Sequence, residues 1–470
     1  MKNRVYLIGI GGIGMSGVGG LLKELGYEVA GFEKLPIYPP ASEILKKSQI
    51  RVYGYDETGI EKFRPDYVIV GNAIKKEHPE VKKAIQMGLF LYSFPEFLEK
   101  HVLKDKQVLL CAGTHGKSTT TALLGFLLEK LGEDPFYLVG AVQKHSGLNY
   151  RTGKKHWFVI EGDEYPSSFF DKKAKFLHYN PFAIILTSLE RDHIDAYPEY
   201  ETLKETFFLL LKLLPEEGIL IFNEDSEDVK KVVKNLNKQK KIKKIISYGK
   251  SKNANFRLIS SRTSFSSDKG FLNQIKVKID GKEKEYFLKI PGEHNALNSV
   301  GVLALLYSLG FDIESVLKLM KKFPGIKRRQ EIIFSEGPVV IDDFAHHPTA
   351  VKLTLSELRK AIYADKVVLV FEPRTNSSKR KVFQKEYEKA LSLADIIFIK
   401  IPPGFEKIEE KERLNIPALI SALEKSGKRA QYLNLQELKK FLEEKNNLIV
   451  FMSSGSFEEE FKQIFSQKIK

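Results

Sequence analysis

The stretch LLCAGTHGKSTTTALL, Leu109 to Leu124, has the residue types of a nucleotide-binding loop. An apolar run typical of a buried strand comes first, a Gly-Thr-His-Gly-Lys-Ser segment follows, and a helical pattern opens at Ser118. In such a loop the glycine lets the backbone approach phosphate, the lysine neutralises the β and γ phosphates, and the hydroxyl reaches Mg²⁺. Cys111 stands where the usual loop has its first glycine. The strand before and the helix after still favour a phosphate-binding loop over a chance turn.

Two acidic segments follow this loop, each after a strand-like apolar run. Their polar members are Glu161, Asp163 and Glu164 in VIEGDEY, and Glu190, Asp192, His193 and Asp195 in LTSLERDHID. Carboxylate oxygens suit Mg²⁺, and an imidazole can complete a second metal position. Either segment alone is more typical of a turn or a helix cap. Parallel strands end at one edge of a sheet, however, and this shared edge favours a metal-dependent triphosphate site.

A second glycine-rich segment lies near the N-terminus and fits the dinucleotide-binding pattern. Its residues are Gly9, Ile10, Gly11, Gly12, Ile13 and Gly14. A strand precedes it, a helix follows it, and Glu33 ends the next strand, where an acid can bind a ribose. The pattern does not distinguish a dinucleotide from a nucleoside diphosphate sugar, and a purely structural turn is the simpler alternative.

Three further polar segments lie downstream. They contain His294, Asn295 and Asn298 in GEHNALN, Arg328 and Arg329 in KRRQE, and Asp342, Asp343, His346 and His347 in DDFAHHPT. The two asparagines have helical spacing and either cap a helix or bind the edge of an adenine, for which amide groups are suited. The paired histidines, taken alone, are more typical of surface or capping residues than of metal ligands.

The pattern of apolar residues indicates three α/β domains in the 470-residue chain. Short apolar runs alternate with amphipathic helical segments in three successive parts of the chain, which is the pattern of parallel α/β units. Between Ser247 and Ile290 polar and apolar residues alternate, which predicts antiparallel hairpins attached to the middle domain. We place the domains at 1–105, 106–324 and 325–470.

The composition excludes some classes of protein. No apolar run reaches the roughly 20 residues that cross a bilayer, so we expect a cytoplasmic protein without a membrane partner. The single cysteine, Cys111, permits no intrachain disulfide, and its apolar context predicts a buried strand residue. The formal charge of +15 suits nucleic acid or anionic small molecules. The densest basic run, Lys230 to Lys244, lacks aromatic residues and is typical of a solvated helix, so we expect no nucleic-acid partner.

Seven segments, taken in their order, resemble the Mur ligase family, the ATP-dependent enzymes that form amide bonds in bacterial peptidoglycan metabolism. The segments are GIGGIGMSG, GTHGKSTT, EGDE, LERDHID, GEHNALN, KRRQE and DDFAHHPT, and they cover nearly the whole chain. The loop of this family has the form GTxGK[ST]T without the earlier glycine, so the resemblance implies that this loop binds ATP. It also implies a Rossmann-like UDP-binding first domain, a central P-loop ATPase-like domain and a Rossmann-like third domain.

The resemblance also implies roles for individual residues, with ATP and Mg²⁺ as cofactors. ATP would contact Gly113, Thr114, His115, Gly116, Lys117, Ser118, Thr119, Asn295, Asn298, Arg329 and Asp343. Mg²⁺ would be bound by Ser118, Glu161 and His193, and the catalytic residues would be Lys117, His193 and Arg329. A UDP-sugar would contact Gly9, Gly11, Gly12, Ile13, Gly14, Glu33 and Asn72, and the acceptor would contact Arg374 and His346. We expect the loop that carries Lys117 to be exposed at the start of a helix.

Two activities in this family begin from UDP-N-acetylmuramic acid, one adding L-alanine and the other a recycled tripeptide. The segment EGDEYPSSFFDKKAKF resembles the tripeptide-adding members, and Ser377 in FEPRTNSS replaces the second arginine of alanine-adding members. We therefore expect L-alanyl-γ-D-glutamyl-diaminopimelate as the acceptor, with small-molecule substrates as partners of a monomer or weak dimer. L-alanine addition is the alternative, and an NAD-dependent dehydrogenase or a nucleic-acid-stimulated ATPase would explain fewer of the segments.

Overall fold

The computed structural model describes residues 3–55 and 59–465, and their strands form three sheets. The strands are β1 (Arg4–Ile8), β2 (Glu28–Phe32), β3 (Arg51–Tyr53), β4 (Tyr67–Val70), β5 (Leu91–Ser93), β6 (Gln107–Ala112), β7 (Phe136–Leu138), β8 (Tyr150–Arg151), β9 (Trp157–Gly162), β10 (Ala183–Leu186), β11 (Ile219–Asn223), β12 (Lys244–Gly249), β13 (Phe256–Ser266), β14 (Gly270–Ile279), β15 (Lys282–Leu288), β16 (Glu331–Phe334), β17 (Val339–Asp343), β18 (Lys366–Glu372), β19 (Ile396–Ile399), β20 (Arg429–Tyr432) and β21 (Asn447–Ser453).

Helices connect most of these strands. The α-helices are α1 (Ile13–Glu24), α2 (Ala41–Lys47), α3 (Gly59–Phe63), α4 (Pro79–Gln86), α5 (Phe94–His101), α6 (Lys117–Lys130), α7 (Tyr200–Lys212), α8 (Glu227–Gln239), α9 (Glu293–Ser308), α10 (Ile313–Met320), α11 (Pro348–Ala361), α12 (Gln384–Leu391), α13 (Ile416–Lys425), α14 (Leu435–Glu443) and α15 (Glu458–Phe465). Short 3₁₀ helices lie at Lys175–His178, Lys381–Phe383 and Phe405–Lys407.

The first sheet is parallel, with the strand order β3-β2-β1-β4-β5. Helices cover both faces, so its strands are nearly continuous apolar runs such as YVIV in β4. The chain order reverses between β1 and β4, and open α/β sheets bind ligands in the crevice at such a point. The glycine-rich segment follows β1 and Asn72 follows β4, so both lie at this crevice.

The second sheet has the order β15-β14-β13-β12-β11-β10-β6-β9-β7-β8. Its central strand β6 is parallel to both neighbours, β9 and β10, and is buried apart from its first residue. The three strands therefore end at the same edge, and the phosphate-binding loop and both acidic segments follow them there. The hairpins predicted between Ser247 and Ile290 are confirmed, because β13, β14 and β15 pair antiparallel and extend this sheet beyond β12.

The third sheet has the order β16-β17-β21-β18-β19-β20. Strand β16 pairs antiparallel with β17, and the pairs from β17 to β20 are parallel. Helices pack on both faces, which gives this unit two separate hydrophobic clusters. The predicted α/β fold with a Rossmann-like first and third unit is confirmed. The domain limits 1–105, 106–324 and 325–470 stay our proposal, and the described parts of the chain contain no helix that is long and apolar enough to cross a membrane.

The first unit packs against the second along α1. The ring of Tyr150 fills the space beside Gly20, where a Cβ would lie 2.3 Å from a ring carbon. Asn149 Nδ2 donates to the carbonyl of Ile13 at 2.9 Å, and the Tyr150 hydroxyl lies 2.8 Å from that of Ser48. The approach of the two units thus depends on a bare backbone at Gly20.

We expect Gly20→Ala to lower the free energy of unfolding by about 1–3 kcal/mol, because the added methyl group overpacks the contact with Tyr150. The matched control is Gly14→Ala in the same helix, where a Cβ meets nothing within 4 Å. That variant should be neutral or up to about 1 kcal/mol more stable, since alanine reduces the freedom of the unfolded chain. The free energies of unfolding of both variants are measured from the first transition in urea. Equal stabilities of the two variants would contradict the packing described for α1.

Candidate active site

The phosphate-binding loop runs from the end of β6 to the start of α6. Two of its glycines have left-handed φ angles, 134° at Gly113 and 84° at Gly116, the N-cap of α6. A Cβ would lie 2.3 Å from Thr187 Oγ1 at Gly113 and 2.6 Å from Asn298 Oδ1 at Gly116. Both positions therefore require glycine, and the bare backbone at the helix N-terminus has the form that phosphate binding needs.

The other residues of the loop are tied to the segment after β10. The Thr114 hydroxyl accepts from the amide of Glu190 at 2.9 Å, and the His115 amide donates to Ser188 Oγ at 2.9 Å. Thr119 is buried within α6. These contacts fix the backbone of the loop, while the ring of His115 is directed towards the third unit, 5.0 Å from the ring of His347.

Lys117 is the first residue of α6. Its Nζ donates to the carbonyls of Gly113 at 2.7 Å and Thr114 at 3.2 Å, and lies 3.1 Å from Glu164 Oε2. Although the loop was expected to be exposed, the side chain of Lys117 is only 14% exposed, because the loop folds around it. Burial opposes its charge, but the carboxylates of Glu164 and Glu161 outweigh burial and raise the pKa of Lys117. The residue is therefore a cation at neutral pH.

Glu161 is the last residue but one of β9 and contacts the loop through Ser118. Its Oε1 accepts from the Ser118 hydroxyl at 3.1 Å, and its Oε2 accepts from the Gly140 amide at 2.7 Å. Burial raises the pKa of Glu161, although Lys117 and both hydrogen bonds act in the opposite direction. The hydroxyl and the carboxylate provide hard oxygen atoms beside Lys117, and such atoms suit Mg²⁺.

Glu164 was named in the acidic segment but received no role from the sequence. It is fully buried, with Oε1 2.7 Å from His193 Nε2 and Oε2 3.1 Å from Lys117 Nζ. Burial opposes its ionisation, yet the charges of Lys117 and His193 lower the pKa of Glu164. Nothing in VIEGDEY separates this residue from Glu161 or Asp163, so its central position could be found only from the fold.

His193 follows β10 and has a left-handed φ of 54°. Its Nδ1 lies 3.0 Å from the Tyr165 hydroxyl, while Nε2 faces Glu164. Burial disfavours the imidazolium, but the carboxylates of Glu164 and Asp192 outweigh it and raise the pKa of His193. Here the residue is an ion-pair partner, and binding a metal through Nε2 requires it to exchange Glu164 for the ion.

Lys175 is a second buried lysine at this edge, and the sequence analysis missed it. Its Nζ donates to Asp163 Oδ2 at 2.5 Å. Burial opposes the ionisation of this aspartate, but Lys175 outweighs it and lowers the pKa of Asp163. A lysine inside the apolar run AKFLHY was the available signal, because such a position is buried only when the charge is paired.

The two asparagines of α9 differ in their surroundings. Asn298 lies against Gly116 in the phosphate-binding loop. Asn295 is engaged internally, because its Nδ2 donates to the carbonyl of Pro291 at 2.7 Å and to Gln330 Oε1 at 2.9 Å. The adenine role of both residues stays a prediction.

The two arginines of KRRQE point to different places. Arg328 binds inside the third unit, with Nε 3.0 Å from Asp342 Oδ2. The guanidinium of Arg329 lies 4.8 Å from the ring centre of Phe344. Burial lowers the pKa of Arg329, and Glu161 of the central sheet is among the carboxylates that oppose this effect. Arg329, and not its neighbour, is therefore the arginine that faces the phosphate-binding edge.

Asp343 is the end of β17 and is buried. Its Oδ2 accepts from the amide of Gln330 at 2.7 Å and its Oδ1 from the amide of Ala345 at 2.6 Å. Burial raises the pKa of Asp343, against the effects of Arg329 and of these two amides. In this arrangement the carboxylate orders the loop that carries Arg329, and its contact with a nucleotide stays a prediction.

The glycine-rich segment after β1 is closed by Glu33. The amide of Gly11 donates to Glu33 Oε2 at 2.8 Å, and a Cβ at Gly11 would lie 2.6 Å from that side chain. Gly9 has a φ of 84°, and Gly12 is the N-cap of α1, with Ile13 and Gly14 as the first helical residues. Asn72 is exposed across the crevice. The predicted UDP-sugar residues therefore lie together at one sheet edge.

The predicted acceptor residues lie in the third unit. Arg374 is 41% exposed, its guanidinium lies 3.7 Å from Glu372, and its stem covers Gly455. His346 Nδ1 lies 2.9 Å from the carbonyl of Phe344, and burial lowers the pKa of this histidine to about 4. His346 is therefore neutral, and the acceptor role of both residues stays a prediction.

The site combines a glycine loop bearing a lysine, an oxygen-rich strand edge beside it and an arginine from a third unit. This combination is that of an ATP-dependent ligase. Three family matches span most of the chain: the Mur ligase family catalytic domain at residues 4–106, the Mur ligase middle domain at 111–306, and the Mur ligase glutamate ligase domain at 328–455. The chain belongs to the Mur ligase family, whose members are ADP-forming and make amide bonds.

Curated relatives carry two different activities. The chain is 32% identical over 412 residues, 85% of each chain, to the UDP-N-acetylmuramate–L-alanyl-γ-D-glutamyl-meso-2,6-diaminoheptandioate ligase of Escherichia coli. It is 34% identical over 400 residues, 84% of this chain and 83% of the relative, to the UDP-N-acetylmuramate–L-alanine ligase of Caldicellulosiruptor saccharolyticus. The solved UDP-N-acetylmuramate-alanine ligase of Thermotoga maritima has the same fold, with a TM-score of 0.80 over 99% of this chain and 98% of that one at 24% identity.

We expect Lys117→Met to lower kcat at least about 100-fold while secondary structure is kept, because the lysine supplies charge to the phosphates. The matched control is Lys130→Met at the other end of α6, where the side chain is 41% exposed. Coupled ADP release measures turnover, and circular dichroism measures folding. Near-normal turnover of the Lys117 variant would contradict an ATP site at this loop.

We expect Glu164→Gln to lower the pKa of His193, because the carboxylate is what raises it. A raised folded-state pKa means that the ion pair stabilises the fold below the unfolded value of about 6.5 and loses this effect as pH rises through the folded value. Histidine ring NMR over a pH series measures the shift, with exposed His156 as the internal reference. An unchanged titration of His193 in the variant would show that Glu164 does not control its charge.

Proposed function

We propose that this protein uses ATP to join L-alanyl-γ-D-glutamyl-diaminopimelate to the lactyl carboxylate of UDP-N-acetylmuramic acid, in cytoplasmic peptidoglycan recycling. The acceptor assignment rests on Ser377, which lies in the loop after β18; we call this loop the acceptor loop. This serine is only 3% exposed, and its hydroxyl accepts from the amide of Ile194 at 3.2 Å. Ser377 therefore makes a small buried contact to the central unit. Alanine-adding members of the family have their second arginine at this position.

The proposed reaction has two steps. A carboxylate is a poor acyl donor, so its oxygen first attacks the γ-phosphorus of ATP, and ADP leaves. The acceptor amine then attacks the carbon of the acyl phosphate, inorganic phosphate leaves, and the amine loses a proton. Lys117 supports this sequence because it is a buried cation at the place where such loops hold the β and γ phosphates, and Arg329 brings a second positive charge from the third unit.

Mg²⁺ fits the donor atoms at the same edge. Ser118 Oγ and Glu161 Oε1 lie 3.1 Å apart and are both hard oxygen ligands, and His193 would be the third ligand. When bound, the ion would offset the negative charge of the phosphates. The carboxylates orient the other side chains of the site: Glu161 fixes Ser118 at the start of α6, and Glu164 fixes both Lys117 and His193.

The acceptor side supports a substrate with several charged groups. The exposed guanidinium of Arg374 can bind one carboxylate bidentately. The neighbouring Asn376 is used in a contact to the central unit, where its Nδ2 donates to Asp195 Oδ2 at 2.9 Å. One arginine without a second leaves the pocket wider and less specific for a small amino acid, which favours the tripeptide.

L-alanine is the alternative acceptor. The L-alanine ligase of C. saccharolyticus favours it, because its identity to this chain, 34%, is similar to the 32% of the tripeptide ligase of E. coli. Both activities share the donor, the nucleotide site and the family, so the central unit does not distinguish them. A dehydrogenase is no longer an alternative, because the family match extends over both glycine loops.

We expect the wild-type enzyme to use the tripeptide with a kcat/KM at least about tenfold above that of free L-alanine, a difference of about 1.4 kcal/mol in transition-state binding. The Ser377→Arg variant should lose at least about tenfold in kcat/KM for the tripeptide, because a long cation replaces a buried small residue. Phosphate release with UDP-N-acetylmuramic acid and each acceptor measures both values.

Ser377→Ala is the matched control for this experiment. It loses only the hydrogen bond from the Ile194 amide, so its preference between the two acceptors should stay that of the wild type. A wild-type preference for free L-alanine would instead assign the chain to alanine addition. Equal losses in the arginine and alanine variants would mean that the interdomain contact, and not the space at Ser377, controls the acceptor.

A further inference from the structure

Three side chains from separate segments converge beside the phosphate-binding loop but outside the predicted Mg²⁺ site. His115 belongs to the loop, Glu190 follows β10, and His347 is the N-cap of α11 in the third unit. One ligand atom from each lies within 4.8 Å of the other two. His115 Nε2 and Glu190 Oε2 are 3.5 Å apart, and the two imidazole rings have their centres 5.0 Å apart.

Two of these ligand atoms are buried. They are the Nε2 atoms of His115 and His347, and the whole side chain of His347 is only 7% exposed. His115 Nε2 faces Glu190 and the His347 ring contacts the backbone of Arg191, so a metal ion bound here would replace both contacts. The Glu190 carboxylate itself is held in place by the Thr349 hydroxyl, which donates to it at 2.9 Å.

The chemistry of this donor set points to a transition metal. Two imidazoles and one carboxylate form a common zinc donor set, whereas Mg²⁺ prefers oxygen alone. We propose that His115, Glu190 and His347 form a binding site for a divalent transition metal such as Zn²⁺, which links the central unit to the third unit.

The protonation states of the ligands agree with this site. Burial lowers the pKa of His347 to about 4, so its ring is neutral at neutral pH and able to bind a metal. Burial would raise the pKa of Glu190, but His115 and Thr349 outweigh it and hold that pKa at about 2, so the carboxylate is charged. Coordination through His347 Nε2 moves the ring proton to Nδ1, which gives up the long 3.3 Å cap from the Thr349 amide, and it replaces the hydrogen bond of the ring to the backbone of Arg191.

Because His347 comes from a different unit, the complete site exists only when the third unit lies against the phosphate-binding edge. A bound metal would therefore favour the closed arrangement of the enzyme. His115 is three residues before Ser118, so the metal would hold the third unit directly beside the loop that binds ATP.

The test uses the full-length enzyme, freed of metal by a chelator and kept in millimolar Mg²⁺ so that the oxygen sites are filled. Titration with Co²⁺ follows the visible absorption of a tetrahedral ion, and Zn²⁺ then displaces it. We expect one equivalent to bind. The variants His347→Asn and Glu190→Gln should bind at least about 100-fold more weakly, since even loss of an outer partner costs about 10–100-fold.

Both variants keep the local structure. Asparagine is a good N-cap and can still accept from the Thr349 amide, but it is too short to reach Glu190. Glutamine can still accept from the Thr349 hydroxyl. The control is His156→Asn, which removes an exposed histidine and should leave the binding of Co²⁺ unchanged.

A second measurement tests the link between the units. Zn²⁺ should reduce the radius of gyration of the wild-type enzyme in small-angle scattering and should not change that of either ligand variant. Absence of a stoichiometric Co²⁺ site in the wild type, or wild-type affinity in both variants, would overturn the proposal. These outcomes do not depend on which acceptor the enzyme uses.

Discussion

The buried carboxylate of Glu164 is the group on which the arrangement of the active site depends. A fully buried carboxylate is strongly unfavourable unless cations pair with it, and Lys117 and His193 do so at 3.1 and 2.7 Å. Lys117 opens α6, Glu164 follows β9 and His193 follows β10, so one group of three charges fixes three strand ends relative to each other. Loss of Glu164 would remove the shared partner of both cations, and loss of either cation would leave the buried carboxylate with one partner, which is more costly than the loss of a surface ion pair.

Close approach of the backbone is the second constraint. The phosphate-binding loop can lie against α9 only because Gly116 has no side chain, which allows Asn298 to contact the start of α6. The same principle joins the first and second units, where Tyr150 occupies the space beside Gly20. In both places the absence of a side chain at a glycine lets elements that are distant in the chain approach each other closely.

The third unit completes the site from the opposite side. Its Arg329 faces the phosphate-binding edge, and Ser377 and Asn376 in the loop after β18 contact the segment after β10. On the proposed acceptor assignment, acceptor choice and closure of the enzyme would be linked, because the hydroxyl of Ser377 also accepts from the amide of Ile194 in the central unit. A metal shared between the units would act on the same contact surface.

The sequence by itself determined the class of fold, the order of the units and the position of the phosphate-binding loop, since periodicity, glycines and short motifs are local properties. It also indicated the hairpins of the central unit. It did not determine the role of Glu164, the pairing of Lys175, or the burial of Lys117, because burial and charge partners depend on residues that are far apart in the chain. Residue type alone did not separate Arg328 from Arg329; the family resemblance singled out Arg329, and the structure shows what each of the two contacts. Only the tertiary structure decided these points, since the pKa and the reach of a side chain are set by what packs around it.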